Sequence, residues 1–212
     1  MQLYSYFNSS TSYRVRIALA LKQIDFTCLP VNIRKMQHHE SDYVAKNPSA
    51  GVPLLDDGGF QLGQSLAIID YLDAKYPEPR LAPQDVLQRA RALEMANLIA
   101  CDMHPVNNLK VLRYLVNELG ISAEQKNNWY KHWIAEGFKS LELLLTNAGS
   151  GSFCLGSQVT LADVCLVPQV ANALRMGCDV ADFPRIMAVY NHCNTLPAFQ
   201  QAAPAQQPDF NE

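Results

Sequence analysis

The chain has 212 residues, of which 49% are apolar and 17% charged, and its formal net charge is −3. This composition is that of a globular protein and excludes the disordered class, and the length suits one large domain or two smaller ones. Lys and Arg are not gathered into a basic run, which argues against nucleic acid as a partner.

The six cysteines are scattered, with no C-x-x-C pair and no Cys/His spacing typical of zinc. We expect them to be reduced, buried hydrophobic side chains, and we expect no metal site. The chain begins without a basic segment followed by an apolar one, and no apolar run approaches the roughly 20 residues that span a bilayer. The expectation is a cytoplasmic protein that does not associate with membranes.

The first predicted elements are a strand, a run of hydroxyl side chains and a helix. Alternating residues at 2–6 favour a strand, and the pattern at 15–22 favours a helix. Because the first N–H groups of a helix have no partner inside it, they attract anions, and the turn before it is a candidate site for a thiolate. The hydroxyl residues at this turn are Ser9, Ser10, Thr11 and Ser12.

The rest of the first eighty residues is predicted to alternate strands and helices. A second strand at 25–32 contains Pro30, which favours an edge position, and residues 34–41 favour a loop with a short helix. Residues 52–63 read as a hairpin with glycines at its turn, followed by a helix whose hydroxyl N-cap is Ser65. The predicted order of elements is β-α-β-α-β-β-α.

Two further features of this region suit a ligand. Pro53 lies inside an apparent strand, which a cis proline at a tight bend would explain; the backbone of Val52 would then be unpaired and able to pair with an extended peptide. An ordinary edge-strand proline is the alternative. Gln64 and Ser65 lie at a helix start, where an amide and a hydroxyl can hold a carboxylate, although a simple cap is the plainer interpretation. Together with the hydroxyl turn, these features describe a site for a short peptide with a thiol and a free α-amino acid end, which is glutathione.

A proline-rich segment separates the two halves of the chain. Residues 76–85 contain three prolines, so we predict a first domain at 1–81 and a second at 87–212. Beyond this segment, apolar residues recur at helical spacing without strand-like alternation, which predicts an all-helical domain. The predicted helices cover 90–119, 123–145, 161–174 and 184–193.

Polar residues interrupt the helical pattern of the second half at two places. Pro105 is expected to kink the first long helix and to free backbone carbonyls. His104 and Asn108 flank this proline, and by themselves they suit a satisfied polar cluster. Thr160 and Asp163 form a capping box, whose role is structural.

The ordered set of motifs resembles the glutathione S-transferases, and residues 9–19 resemble the serine-type signature of their zeta class. The resemblance covers nearly the whole chain. It implies the cytosolic glutathione transferase fold, with an N-terminal α/β, thioredoxin-like domain followed by a C-terminal all-α helical bundle. It also implies a homodimer, glutathione as cofactor and catalytic roles for Ser9 and Ser10. Arg175, otherwise a solvated arginine at a helix end, is implied to bind the substrate. The residues implied to bind glutathione are Ser9, Ser10, Thr11, Ser12, Tyr13, Arg14, His38, Val52, Pro53, Gln64, Ser65, His104 and Asn108.

For function, the resemblance implies a glutathione-dependent isomerase that converts maleylacetoacetate to fumarylacetoacetate in phenylalanine and tyrosine breakdown. The thiolate would add to the conjugated double bond, the bond would rotate, and elimination would return the trans isomer. The alternatives are maleylpyruvate isomerisation, conjugation of glutathione to small electrophiles, and a non-enzymatic assembly module. Many zeta-class proteins carry cysteine where this chain has Thr11, so chemistry that needs a protein thiol is not expected. Many also carry arginine where this chain has Asn8, so one possible contact to a carboxylate is missing.

Overall fold

The computed structural model describes residues 1–210 of the chain. The chain divides into two compact units, one formed by Met1–Leu81 together with the segment that begins at Asn194, and the other by Ala82–Cys193. The sequence-based division placed all of 87–212 in the helical domain. The structure instead groups the C-terminal segment with the N-terminal unit, and residues 211 and 212 lie outside the described part.

The first unit contains a four-stranded mixed sheet with the strand order β2-β1-β3-β4. Its strands are β1 (Gln2–Ser5), β2 (Thr27–Pro30), β3 (Leu54–Asp57) and β4 (Phe60–Gly63). β1 pairs with β2 in parallel and with β3 antiparallel, and β3 and β4 form an antiparallel hairpin. Pro30 lies on an edge strand, as its missing N–H predicts. Gly58 and Gly59 have φ values of 67° and 97°, which the hairpin turn requires.

The helices of both units are named in chain order. They are α1 (Ser10–Leu21), α2 (Ser41–Val44), α3 (Ser65–Lys75), α4 (Val86–Asn97), α5 (His104–Val106), α6 (Leu109–Asn117), α7 (Ala123–Ala148), α8 (Leu161–Arg175), α9 (Pro184–Cys193) and α10 (Pro197–Ala202). In the first unit α1 packs against α3 and α10. Apolar side chains of the sheet and of these helices are fully buried, among them Leu3, Ile17, Leu55 and Ile68. The predicted β-α-β-α-β-β-α order is confirmed.

Over its described residues, the second unit contains only helices among its regular elements, as predicted, and α8 lies at its centre. Every residue of α8 from Leu161 to Val170 is buried, and the helix packs against α4 and α9. A helix that is buried on all sides is typical of the centre of a helical bundle. None of the helices within residues 1–210 has the length and apolar character that a bilayer span requires.

The first long helix predicted for this unit is interrupted. A π-helical stretch, Leu98–Met103, joins α4 to α5, and the chain leaves helical geometry before α6 begins. Pro105 lies in α5, and the carbonyl of Val106, at the end of this helix, accepts the indole N–H of Trp129 at 2.9 Å. The predicted continuous helix over 90–119 is wrong: Pro105, where a kink was expected, lies within α5, and the helix is interrupted after it, at Asn107 and Asn108.

The helical unit contains a buried, hydrogen-bonded carboxylate at Asp163 and a close packing contact at Gly137. Asp163 is fully buried, and its carboxylate accepts the N–H of Cys154 at 2.7 Å and both the N–H and the hydroxyl of Thr160, at 2.7 and 2.9 Å. Burial raises the pKa of Asp163, and these hydrogen bonds oppose that rise. Gly137 of α7 leaves room for the side chain of Met103, which a Cβ at this position would overlap.

Candidate functional site

The hydroxyl turn forms the start of α1, and does not merely precede the helix. Ser9 is the N-cap, with φ −81° and ψ 118°, and its Oγ accepts the N–H of Ser12 at 3.2 Å. Ser10 is the first helical residue, so α1 begins well ahead of the predicted 15–22. Hydroxyl side chains suit this position because they satisfy N–H groups that have no partner inside the helix.

A chain of hydrogen bonds joins this turn to Val52, two residues before β3. Thr11 Oγ1 lies 2.9 Å from Ser9 Oγ and 2.9 Å from the carbonyl oxygen of Val52. The Val52–Pro53 peptide bond is cis, as predicted, and β3 begins only at Leu54. The expectation of an unpaired Val52 backbone is therefore wrong for its carbonyl. This carbonyl oxygen is also the acceptor that the N–H of an extended peptide would use.

Gln64 and Ser65 lie at the N-terminus of α3, beside the buried side chain of Arg14. Gln64 is the N-cap of α3 with φ 67° and ψ 114°, and it makes no side-chain cap bond. Ser65, predicted as the cap, is instead the first helical residue. Its Oγ accepts a hydrogen bond from Nη1 of Arg14 at 3.4 Å. A positive φ at a non-glycine residue is uncommon and occurs preferentially at ligand-binding positions.

Arg14 places an incompletely paired cation at this helix start. Only 1% of the residue is exposed, and its Nε and Nη2 have no hydrogen-bond partner among the described residues. A buried guanidinium with free donors attracts an anion, and the N-terminus of α3 adds partial positive charge. The arrangement of Arg14 and Ser65 therefore suits a carboxylate.

The other residues predicted for the first unit have different surroundings. The side chain of Ser12 is fully buried, and Ser12 meets Ser9 through its backbone N–H. Tyr13 is also buried, and its hydroxyl donates to the carbonyl of Phe199 at 3.2 Å. His38 lies in a 3-10 turn, Gln37–His39, with its ring centroid 4.2 Å from that of His39.

The sequence patterns did not predict that the C-terminal segment makes hydrogen bonds with the residues on either side of the hydroxyl turn. Arg16, which is 1% exposed, and Asp209, which is 3% exposed, both take part. Burial lowers the pKa of Arg16 to about 10, so it remains a cation at neutral pH. No periodicity signals these contacts, because each links residues far apart in the chain. They are Tyr13 Oη to Phe199 O at 3.2 Å, Arg16 Nε to Ala202 O at 2.9 Å and Phe7 N to Asp209 Oδ2 at 2.9 Å.

In the second unit, the structure brings His104 and Asn108 together. Nδ2 of Asn108 lies 3.3 Å from Nε2 of His104, and Oδ1 of Asn108 accepts the N–H of Lys110 at 3.1 Å, which caps α6. Since the Lys110 contact fixes the amide oxygen, the amide nitrogen faces the imidazole and donates to it. Nε2 of His104 is therefore the acceptor, and a neutral imidazole would carry its proton on Nδ1.

Arg175 is the last residue of α8 and is exposed. Its Nη2 donates to Oδ1 of Asn172 at 2.9 Å, which leaves its remaining donors accessible. Its charge acts on Tyr130: burial raises the pKa of this phenol to about 12, and the positive charge of Arg175 opposes the rise. An exposed guanidinium at this position can bind a planar anion.

The matches to known proteins agree with this geometry. Residues 1–74 match the family model of the glutathione S-transferase N-terminal domain, and residues 109–201 match that of the C-terminal domain. The chain therefore belongs to the glutathione S-transferase family.

Relatives with high coverage define the class more closely. A probable maleylacetoacetate isomerase of Vibrio cholerae is 46% identical, over 98% of this chain and 97% of its own. A solved maleylpyruvate isomerase, described as a bacterial zeta-class glutathione S-transferase, is 42% identical with a TM-score of 0.96 and covers 99% of both chains. A maleylacetoacetate isomerase of Methylobacterium extorquens AM1, solved with malonate and glutathione, is 35% identical with a TM-score of 0.92 over 98% of both chains. Within the family, this chain is a zeta-class member.

Proposed function

We propose that the protein is a glutathione-dependent cis–trans isomerase that converts maleylacetoacetate to fumarylacetoacetate. The observation that carries the proposal is the hydroxyl turn at the start of α1, hydrogen-bonded to the backbone of Val52. It combines donors for a thiolate with a backbone position where an extended peptide can pair. The names of the zeta-class relatives and the glutathione bound to one of them support the assignment.

The residues of the first unit fit glutathione at three points. The hydroxyl turn suits the sulfur, because it offers hydroxyl donors at a helix N-terminus. The Val52 carbonyl, which accepts the hydroxyl of Thr11 in this structure, is also an acceptor for the N–H of a bound peptide. The unpaired guanidinium nitrogens of Arg14, together with Ser65 and the start of α3, suit the α-carboxylate of the γ-glutamyl end.

When bound, glutathione would supply a nucleophilic sulfur that adds reversibly to a conjugated double bond and so permits rotation about it. Ser9 or Ser10 donates a hydrogen bond to this sulfur, and the N-terminus of α1 adds partial positive charge. Both effects stabilise the thiolate and lower the pKa of the thiol. Arg175 binds a carboxylate of the acid and stabilises negative charge that develops on the substrate. No protein thiol is required, so Thr11 is compatible with the reaction.

Maleylpyruvate is the second candidate substrate, since the solved relative with a TM-score of 0.96 is a maleylpyruvate isomerase. Both acids share the conjugated cis double bond and the carboxylate. The test measures kcat/KM for each acid with purified protein, with and without glutathione. We expect turnover only with glutathione and a higher kcat/KM for maleylacetoacetate. Turnover without glutathione, or no isomerisation together with rapid conjugation of aryl halides, would refute the proposal.

Separate substitutions can show which of Ser9 and Ser10 donates a hydrogen bond to the sulfur. Ser9→Ala and Ser10→Ala are compared for turnover and for the ultraviolet absorbance of the bound thiolate. The serine that donates to the sulfur is the one whose loss reduces both readouts, by about ten- to a thousandfold in kcat/KM. If both variants retain the thiolate and full turnover, neither hydroxyl has the proposed role.

We also propose that the protein is a cytoplasmic homodimer. None of the six cysteines, all of which lie within the described residues, forms a disulfide, which suits a reducing compartment. Large apolar side chains are exposed on the helical unit, including Leu87 at 77% and Leu143 at 61%, and a second copy of the chain would cover such side chains. Sedimentation equilibrium should give twice the mass of one chain, and a single-chain mass at micromolar concentration would contradict the proposal.

A further inference from the structure

The hydrogen bonds between the hydroxyl turn and Val52 have only one consistent arrangement of protons. The carbonyl of Val52 can only accept, so the hydroxyl of Thr11 donates to it. A hydroxyl has a single proton, and the contact between Ser9 and Thr11 therefore uses the proton of Ser9. Ser9 Oγ in turn accepts the N–H of Ser12. Every donor in this chain of bonds points toward the Val52 carbonyl.

In this arrangement the hydroxyl proton of Ser9 is used in the hydrogen bond to Thr11. A hydroxyl that donates to Thr11 is not available to a thiolate, so Ser9 has to change its partner before it can stabilise the sulfur. Ser9 is only 8% exposed and its Oγ lies 2.9 Å from Thr11, so any change of partner is a rotation of hydroxyl groups within a packed site. The rotation can start when another donor binds the carbonyl oxygen of Val52, because this oxygen is the acceptor of Thr11.

We propose that Thr11 is a positioning residue that couples peptide binding at Val52 to donation from Ser9, an inference that rests on the proposed function. A peptide N–H that binds the Val52 carbonyl takes over the acceptor of Thr11. The hydroxyl of Thr11 then turns and donates to Ser9 Oγ. The hydroxyl of Ser9, released from Thr11, turns to the sulfur and donates to it.

The reversed arrangement satisfies every group in the chain. Ser9 Oγ has two lone pairs, one for the N–H of Ser12 and one for the hydroxyl of Thr11, and its own proton goes to the thiolate. Hydrogen bonds in a chain polarise one another, so donation from Thr11 makes Ser9 a stronger donor. A stronger bond to the charged form lowers the pKa of the bound thiol. The thiol proton itself leaves to solvent, and no other bond forms or breaks.

The test compares Thr11→Val, which keeps the side-chain shape without a hydroxyl, with Thr11→Ser, which keeps the hydroxyl. Glutathione is bound to each protein, and its thiolate absorbance is followed against pH. We expect Thr11→Val to lower the thiolate fraction at a fixed acidic pH by about three- to tenfold, the effect of one neutral hydrogen bond. Thr11→Ser should restore the wild-type fraction to within about twofold.

Two controls separate this role from a structural one. S-methylglutathione, which has no ionisable thiol, should bind Thr11→Val as tightly as the wild type or more tightly, since Val52 then has no competing donor. In a Ser9→Ala background, Thr11→Val should have no further effect on the thiolate, because the coupling passes through Ser9.

An unchanged thiolate fraction in Thr11→Val, or an equal loss in Thr11→Ser, would overturn the role of Thr11 and leave the proposed function standing. Failure of the wild-type protein to bind either glutathione or S-methylglutathione would overturn both. A loss in Thr11→Val that persists unchanged without Ser9 would also overturn the coupling.

Discussion

Replacement of Lys22 by methionine is expected to lower the free energy of unfolding by about 3–5 kcal/mol, because it leaves a buried carboxylate without its cation. Lys22 Nζ donates to Asp73 Oδ1 at 2.7 Å and to the carbonyls of Tyr76 and Pro79 at 2.7 and 2.8 Å. The side chains of Lys22 and Asp73 are 0% and 6% exposed. The ammonium thus links α1 to α3 and to the chain that follows α3.

The magnitude follows from what remains after the substitution. Methionine preserves most of the side-chain volume, so little of the loss comes from packing. Asp73 would keep its hydrogen bonds from the N–H of Leu81, at 2.9 and 3.1 Å, while its charge stays buried without the ammonium of Lys22. The two carbonyls that lose their donor lie partly at the surface and can bind water, which is why the ion pair dominates the estimate.

Equilibrium unfolding in urea at neutral pH measures the effect, with Lys22→Met/Asp73→Asn as the matched variant. The asparagine removes the unpaired charge and still accepts the N–H of Leu81, so the double variant should be more stable than Lys22→Met alone. A loss below about 1 kcal/mol in Lys22→Met, or a double variant less stable than the single one, would refute the reasoning.

Three further substitutions test other parts of the structure. Asp209→Leu should cost about 1–3 kcal/mol in urea unfolding, because Phe7 N–H loses its acceptor, and Asp209→Asn should cost less; equal losses would contradict this. The hydrogen bond from Lys75 lowers the pKa of Asp57 below 3.8, so the ionised carboxylate stabilises the fold above this pH and the benefit is lost as the pH falls through the folded pKa. Asp57→Asn should therefore destabilise the protein at neutral pH, and the loss should shrink as the pH falls below 3.8; a pH-independent loss would be the contrary result. Gly137→Ala should lower stability by about 1–3 kcal/mol in thermal unfolding, since its Cβ would overlap the methionine packed on it, and a stabilised variant would disprove the close approach.

Periodicity and turn chemistry predicted the elements of the fold because these signals are local. The hairpin glycines Gly58 and Gly59, the cap at Thr160 and the break near Pro105 each act within a few residues of their own position. The start of α1 was missed for a related reason. Serine and threonine have modest helix propensity, so the turn was assigned outside the helix, while Ser9 caps it and makes a hydroxyl-rich first turn favourable.

Long-range pairing is the part of the site that no local pattern specifies. The bond from Thr11 joins α1 to the loop before β3, and the bond from Phe7 to Asp209 joins segments near the two ends of the chain. The positive φ of Gln64 is likewise set by its surroundings, since glutamine has no intrinsic preference for that conformation. The sequence therefore predicts a site at Gln64 and Ser65, but the N-cap of α3 is Gln64 and not the predicted Ser65.

Arg14 and Arg16 show how much the surroundings decide. Both lie on α1 with only 1% exposure, and their positions in the sequence do not distinguish them. Each side-chain nitrogen of Arg16 has an acceptor, and these bonds hold the backbone before the hydroxyl turn and the end of α10. Arg14 instead retains two nitrogens without a partner among the described residues. A buried cation with unused donors is costly to fold unless an anion completes it, so the field that favours a bound carboxylate comes from Arg14. The acceptors of Arg16 are Ala202 O, Ser5 Oγ, Tyr6 O and Phe7 O.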